Sequence, residues 1–199
     1  MGIGLLAMVV EQSANEPYHA ALRRLVLEPL GIEATLGEQP PRSPARPRGD
    51  YGEHAGTPLE MYNSPWYRAL GFPWGGGFAT AAGALAIVRA FRPQSGFLPH
   101  WLCAEATRDQ TGALSGGFGG WLEWNPCPWG LGPEVRGAKE PHFTPATASP
   151  ATFGHVGASG ASVWHDPAAD LTWAILGARF FDWWHGMAAI AAELRTATA

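Results

Sequence analysis

A chain of 199 residues with 46% hydrophobic content is long enough to bury a sizeable core, as one domain or two small lobes. Only 15% of residues are charged and the net charge is −4, so no electrostatic ground exists for a nucleic-acid or anionic-membrane partner. All the basic residues but one are arginine; the single lysine is Lys139.

In chain order, the apolar stretch Gly2 to Val10 is too short to span a bilayer. It has no basic leader and no small-residue cleavage pattern, so it predicts a buried core helix and a cytoplasmic protein. Ser13 to Pro17 is a break, with Asn15 and Pro17 suited to the cap and first turn of a second helix. Leu22, Leu25 and Val26 recur at helical spacing between Tyr18 and Leu27, until Pro29-Leu30-Gly31-Ile32 stops the run. Residues 37–60 are polar, proline-rich and without periodicity, and predict a long loop. Its Arg48-Gly49-Asp50 is too short a match to carry an integrin-binding reading without a secretion signal.

Phe72 to Phe78 is a glycine turn into a helix over 80–92, where Leu85, Ile87, Val88 and Phe91 form the apolar stripe. Leu98 to Thr107 predicts a further helix, Gly112 to Gly120 a flexible loop, and Trp129 to Gly132 a short strand. Thr152 to Val156, Ala161 to His165 and Leu171 to Gly177 read as three strands, the last two joined by the turn-rich Asp166 to Asp170. Residues 182–195, opening on Trp183-Trp184, close the chain as a helix. Helices first, then strands, then a final helix predict an α+β protein with an antiparallel sheet. The division expected is a mostly helical region over 1–110 and a sheet with its closing helix over 121–199, within a single domain.

Cys103 and Cys127 share no metal-like spacing, and two buried thiols are preferred over a disulfide. His54, His100 and His142 stand alone, so no metal site and no cofactor are expected. His165, Asp166 and Asp170 read as the ends of a hairpin, and Ser159 and Ser162 as turn and strand residues. Trp121, Trp124 and Trp129 are close enough to suggest a sugar-stacking platform, although core or cleft lining is the better-supported reading.

Several of these segments, in order, resemble the penicillin-recognising serine hydrolases, in the branch of class C β-lactamases and esterases. The carriers are Gly4-Leu5-Leu6 through Val10-Glu11, Pro17-Tyr18, Leu27 to Ile32, Pro73 to Ala81, and Phe153-Gly154-His155-Val156-Gly157-Ala158-Ser159-Gly160. The last resembles the family's third motif, Lys-Thr-Gly or His-x-Gly, on a strand lining the active site. The resemblance implies a β-lactamase/transpeptidase-like α+β fold and hydrolysis of an ester, amide or lactam through an acyl-enzyme. His155 would orient substrate or move a proton, and the Ala158 backbone N–H would be one of two oxyanion donors. Val156 and Gly157 would meet substrate, with Val156 in place of a threonine that favours penicillins.

The departures are as informative. The family's nucleophile motif is Ser-x-x-Lys, and three residues before the only lysine stands Arg136. No Tyr-x-Asn precedes the first helix, and Gly83 stands near the place of an expected aspartate. These departures predict a chain that begins internally relative to the family, inactive alone, with Leu171 to Gly177 as an open edge prone to self-association. A function of a different class, a non-catalytic binding or interaction module derived from the fold, fits the same residues. His155, Gly157 and Gly160 also fit a plain sheet histidine and a tight bend.

Overall fold

The computed structural model describes residues 2–48, 52–118, 120–179 and 184–198. Gly49 and Asp50 of the Arg-Gly-Asp tripeptide, and Trp183, lie outside the described residues. The chain divides into two compact units, with the boundary after Ala86 and with Ala178 and Arg179 returning to the first.

In the first unit, α1 (Gly2–Ala14) is followed by α2 (Tyr18–Leu22), whose backbone widens into a π-turn over Arg23–Leu27. Asn15 takes a left-handed conformation at the end of α1, and Pro17 is itself the cap of α2. The Ile32 N–H returns to the Leu27 carbonyl at 2.8 Å and stops the helix where the proline-leucine-glycine corner predicts. The expectation of a buried α1 is corrected. Ile3, Leu5, Leu6, Met8 and Val9 are all more than half exposed, and Ala7 alone among the described α1 residues is buried. An apolar helix face is hidden only where another element lies on it, and among the described residues these five side chains are left uncovered.

Three short elements fall where no periodicity predicted them. Ala34–Thr35 (β1) pairs antiparallel with Phe78–Ala79 (β2), and Pro65–Ala69 forms α3. Ser64 caps α3 by accepting the Tyr67 N–H at 3.1 Å, and Pro65 at the first helical position gives up no needed donor. The described residues of the proline-rich segment are mostly irregular, apart from a 3₁₀ turn at Gly52–His54 and a bridge from Arg48 to Arg179.

The unit boundary falls within α4 (Ala81–Arg89), which Thr80 caps by accepting the Gly83 N–H at 3.1 Å. The second unit continues through a 3₁₀ turn at Pro93–Ser95 to α5 (His100–Thr107). The loop expected over 112–120 is corrected in part: Gly116–Phe118 (β3) pairs with Leu122–Trp124 (β4) as a hairpin. The strand expected at Trp129 to Gly132 lies slightly later, at Glu134–Val135 (β5), with Trp129 bridging to Glu134.

The main sheet is antiparallel in the order β5-β6-β7-β8, with β6 at Phe153–Gly157, β7 at Ala161–Asp166 and β8 at Leu171–Leu176. Register opposes Gly154 to Trp164, Val156 to Ser162 and Trp164 to Trp173. Period-two alternation then sends Val156, Trp164, Trp173 and Ile175 into one core with Met187 and Ala191 of α6 (Trp184–Thr198). Burying one such side chain stabilises the fold by roughly 1.5–3 kcal/mol, so this face fixes the register of β6. The opposite face carries Phe153, His155 and Gly157.

Candidate functional site

The third-motif segment occupies the end of β6 and the turn after it. His155 lies opposite Val163 on the face away from the core and is exposed. Its ring meets the edge of Trp129 at a centroid distance of 5.6 Å. Desolvation by the surrounding protein holds the imidazole below the ordinary histidine range, with the Glu134 carboxylate pulling the other way. A lowered pKa favours the neutral imidazole, which can accept a proton.

Val156 points into the core and is 2% exposed, so its side chain does not face a ligand. Gly157 and Ala158 are half-exposed, and the turn closes with the Gly160 N–H on the Gly157 carbonyl at 2.9 Å. A methyl group at Gly157 would meet Ser159 Oγ at 3.7 Å and Ala161 Cβ at 3.8 Å, ordinary contacts. Internal packing therefore does not require glycine there, and the bare backbone leaves room for approach from outside. Gly154 is the reverse case: a Cβ would lie 2.1 Å from the Val163 carbonyl oxygen. That glycine belongs to the sheet.

Next to β6 lies a buried polar cluster that no sequence pattern announced. Lys139 Nζ, with its side chain 0% exposed, bonds to Glu134 Oε1 at 2.6 Å and donates to the Pro128 carbonyl at 2.9 Å. The ammonium also lies 5.2 Å from the Trp124 ring centre and 5.5 Å from that of Trp129. His142 was expected to stand alone; it is instead a member of this cluster. Its Nε2 lies 3.1 Å from Glu134 Oε1, and its Nδ1 accepts the Thr144 N–H at 3.2 Å. Since Nδ1 accepts, Nε2 carries the proton and donates to Glu134, which assigns a neutral ring from the hydrogen-bond pattern. Thr144 Oγ1, 2.8 Å from Nδ1, accepts from Arg136 Nε at 3.1 Å.

The charges agree with that assignment. Burial pushes His142 below its ordinary range, against the pull of Glu134. Burial alone would raise the Glu134 carboxyl, but the His142 hydrogen bond and the charges beside it hold it below the ordinary range. The cluster thus joins β5 to the 136–144 segment and carries Trp129, against which His155 packs.

Other candidates serve the fold. Asp166, fully buried, accepts from Ser149 N and Oγ and from Ala168 N, and pairs with Arg195 of α6 at 2.5 Å. Asp170 pairs with Arg92, and His165 Nδ1 lies 2.9 Å from Thr172 Oγ1. Ser162 is buried and accepts from Trp164 Nε1, while Ser159 sits in the turn. Trp124 is buried and Trp121 is 46% exposed, so the three tryptophans do not make one open platform. Cys103 and Cys127 are free thiols, the first buried and the second half-buried. No group of metal-binding side chains occurs among the described residues. No helix among them is long and apolar enough to cross a membrane.

An antiparallel sheet packed on a closing helix, with a His-x-Gly strand end beside a glycine turn, defines an α+β fold of the β-lactamase/transpeptidase type. The chain belongs to the Beta-lactamase family, whose model matches residues 1–195. A β-lactamase from Mycobacterium bovis is similar in structure, with TM-score 0.75 and 30% identity, covering 99% of this chain and 62% of its own. A penicillin-binding protein homologue from Caulobacter crescentus matches with TM-score 0.61 and 19% identity, over 95% of this chain and 55% of its own. EstCE1, a hydrolase with promiscuous acyltransferase activity, matches with TM-score 0.62 and 21% identity, over 98% and 54%. This chain therefore spans less than two thirds of the length of each of these proteins. No curated protein matches the chain significantly.

Proposed function

We propose that this polypeptide is the third-motif portion of a serine hydrolase that acts on esters or amides through an acyl-enzyme, and that it is inactive alone. The observation that carries the reading is the end of β6: an exposed His155 and, two residues on, a glycine whose missing Cβ is not explained by packing. His155 orients substrate or shuttles a proton, and the Ala158 N–H is one of two oxyanion donors. One such donor contributes about 3 kcal/mol to lowering the barrier. Val156 backs the substrate wall from the core side, and Gly157 allows close approach.

The nucleophile comes from polypeptide this sequence does not contain, since no Ser-x-x-Lys occurs in it. Lys139, its only lysine, is bound in the buried pair with Glu134. Two surfaces support completion by further chain: the exposed apolar face of α1, and β8, an edge strand without a charged residue. Without that completion, β8 pairs with a second copy and the chain self-associates. A cytoplasmic location belongs to the same reading and suits two free cysteines.

Turnover of a short-chain p-nitrophenyl ester by the folded chain tests the proposal. The expected rate equals buffer and is unchanged in His155→Ala. Saturable turnover that His155→Ala removes would overturn the claim that the chain is inactive alone.

A further inference from the structure

A histidine that orients substrate or moves protons needs a fixed ring, because a misplacement of about 1 Å is costly to catalysis. The ordinary device is a hydrogen bond that occupies one ring nitrogen. The second unit uses it twice: His142 is held by Glu134 and Thr144, and His165 by Thr172. His155 differs. Among the described residues neither of its ring nitrogens has a hydrogen-bond partner. The ring contact it makes is with Trp129, the two centres 5.6 Å apart and the planes at 70°. Aromatic pairs prefer such an edge-to-face arrangement.

Trp129 is itself held firmly. Its indole N–H donates to the Gly132 carbonyl at 3.0 Å, and the Lys139 ammonium lies 5.5 Å from its ring centre. Its backbone N–H donates to Asp109 Oδ1 at 3.3 Å, and its carbonyl accepts the Gln110 N–H at 2.8 Å. The next residues are anchored too: the Gly130 N–H donates to the Pro133 carbonyl at 2.9 Å, and the Leu131 N–H to the Ala106 carbonyl at 3.0 Å. A Cβ on Gly130 would lie 2.0 Å from that Ala106 oxygen, so glycine lets this segment seat against the end of α5. Lys139 is fixed in turn by Glu134 and the Pro128 carbonyl. The indole is thus a stationary, half-buried plate beside an exposed imidazole.

We propose that Trp129 is the positioning residue of His155: the indole, rather than a hydrogen bond, holds the imidazole in one orientation and leaves both ring nitrogens open to substrate. A neutral imidazole held in this way accepts a proton at one nitrogen and releases one from the other, ending as the opposite tautomer with no net change of charge. The proposal rests on the reading of His155 as a substrate-facing residue, but its test needs neither substrate nor turnover.

Nuclear magnetic resonance of the folded chain tests it, through the three-bond couplings to His155 Cγ that report the χ1 angle. Exposed side chains ordinarily hop between rotamers within nanoseconds. His155 should instead occupy one staggered well in the parent chain, with nuclear Overhauser effects joining its ring protons to those of Trp129. Trp129→Met keeps an apolar filler without a ring and should average the couplings over more than one well. Trp129→Phe restores an aromatic edge and should return them to the parent values. Leu122→Ala, a cavity in the core of the same unit, should lower the urea midpoint and leave the couplings unchanged. Averaged couplings in the parent, a single well in Trp129→Met, or loss of the single well in Leu122→Ala would each overturn the proposal. Ester turnover, which tests the inactivity of the chain alone, reads a different observable, so the two claims fail separately.

Discussion

Lys139 Nζ and Glu134 Oε1 lie 2.6 Å apart with neither side chain more than 3% exposed. The one lysine of the chain is therefore part of the scaffold beside the third-motif strand. Its ammonium is held between the Trp124 and Trp129 rings, and Trp129 in turn packs on His155. The pair therefore positions the wall on which the proposed chemistry rests.

Lys139→Met should leave Glu134 charged, buried and short of its cation. Breaking a buried pair in this way costs about 3–5 kcal/mol. The expected result is a urea midpoint lowered accordingly, with part of the loss recovered in Lys139→Met/Glu134→Gln, where no charge remains unpaired. A single variant as stable as the parent would show that the pair contributes nothing.

His142 and His165, both buried, titrate below 6.5 in the folded chain, each chiefly because burial disfavours the charged ring. Between 6.5 and those lower values the unfolded chain binds more protons, so stability falls as pH drops. Glu134 and Asp166, held below 4.5 and 3.8, extend the loss to lower pH. Urea midpoints should be flat from pH 8 to about 7 and decline from about 6.5 downward. A midpoint constant down to pH 5 would contradict the neutral His142.

Two glycines in β6 should respond in opposite ways. A methyl group on Gly154 would lie 2.1 Å from the Val163 carbonyl oxygen and 2.7 Å from the Trp164 Cα, both backbone atoms. Gly154→Ala should cost about 3 kcal/mol or more, because neither neighbour can move without breaking the ladder. Gly157→Ala meets only ordinary contacts and should change stability by less than about 1 kcal/mol. Thermal unfolding of both variants checks the contrast.

The edge strand makes a prediction about assembly. Leu176, on β8, is 48% exposed, and β8 carries no charged residue. Leu176→Lys should shift the chain toward monomer in size-exclusion chromatography with light scattering, since edge charges oppose strand pairing. A parent chain that is already monomeric at about 100 μM would remove the basis for self-association.

The strands β6 to β8 were legible because their alternation and the Asp166 to Asp170 turn are local signals. α1 was legible as a helix but not in its burial, because burial depends on what lies against Leu5, Leu6 and Val9 rather than on their own spacing. α3, β1 and β2 are five and two residues long, too short for a period to register. The third-motif segment was found through its resemblance to a family rather than through geometry. The cluster of Glu134, Lys139 and His142 went unread because its spacing matches no motif and its meaning lies in burial. A lone lysine close to a glutamate and a histidine in a tryptophan-rich stretch was the only trace it left.

The central claim is that this chain carries the third-motif wall without a nucleophile of its own. Intact-mass spectrometry after exposure to a fluorophosphonate and, separately, to penicillin tests it most directly. The account predicts an unmodified mass from protein shown to be folded. A stoichiometric adduct that disappears when the protein is heat-denatured before labelling would establish a working nucleophile within these residues and contradict the account.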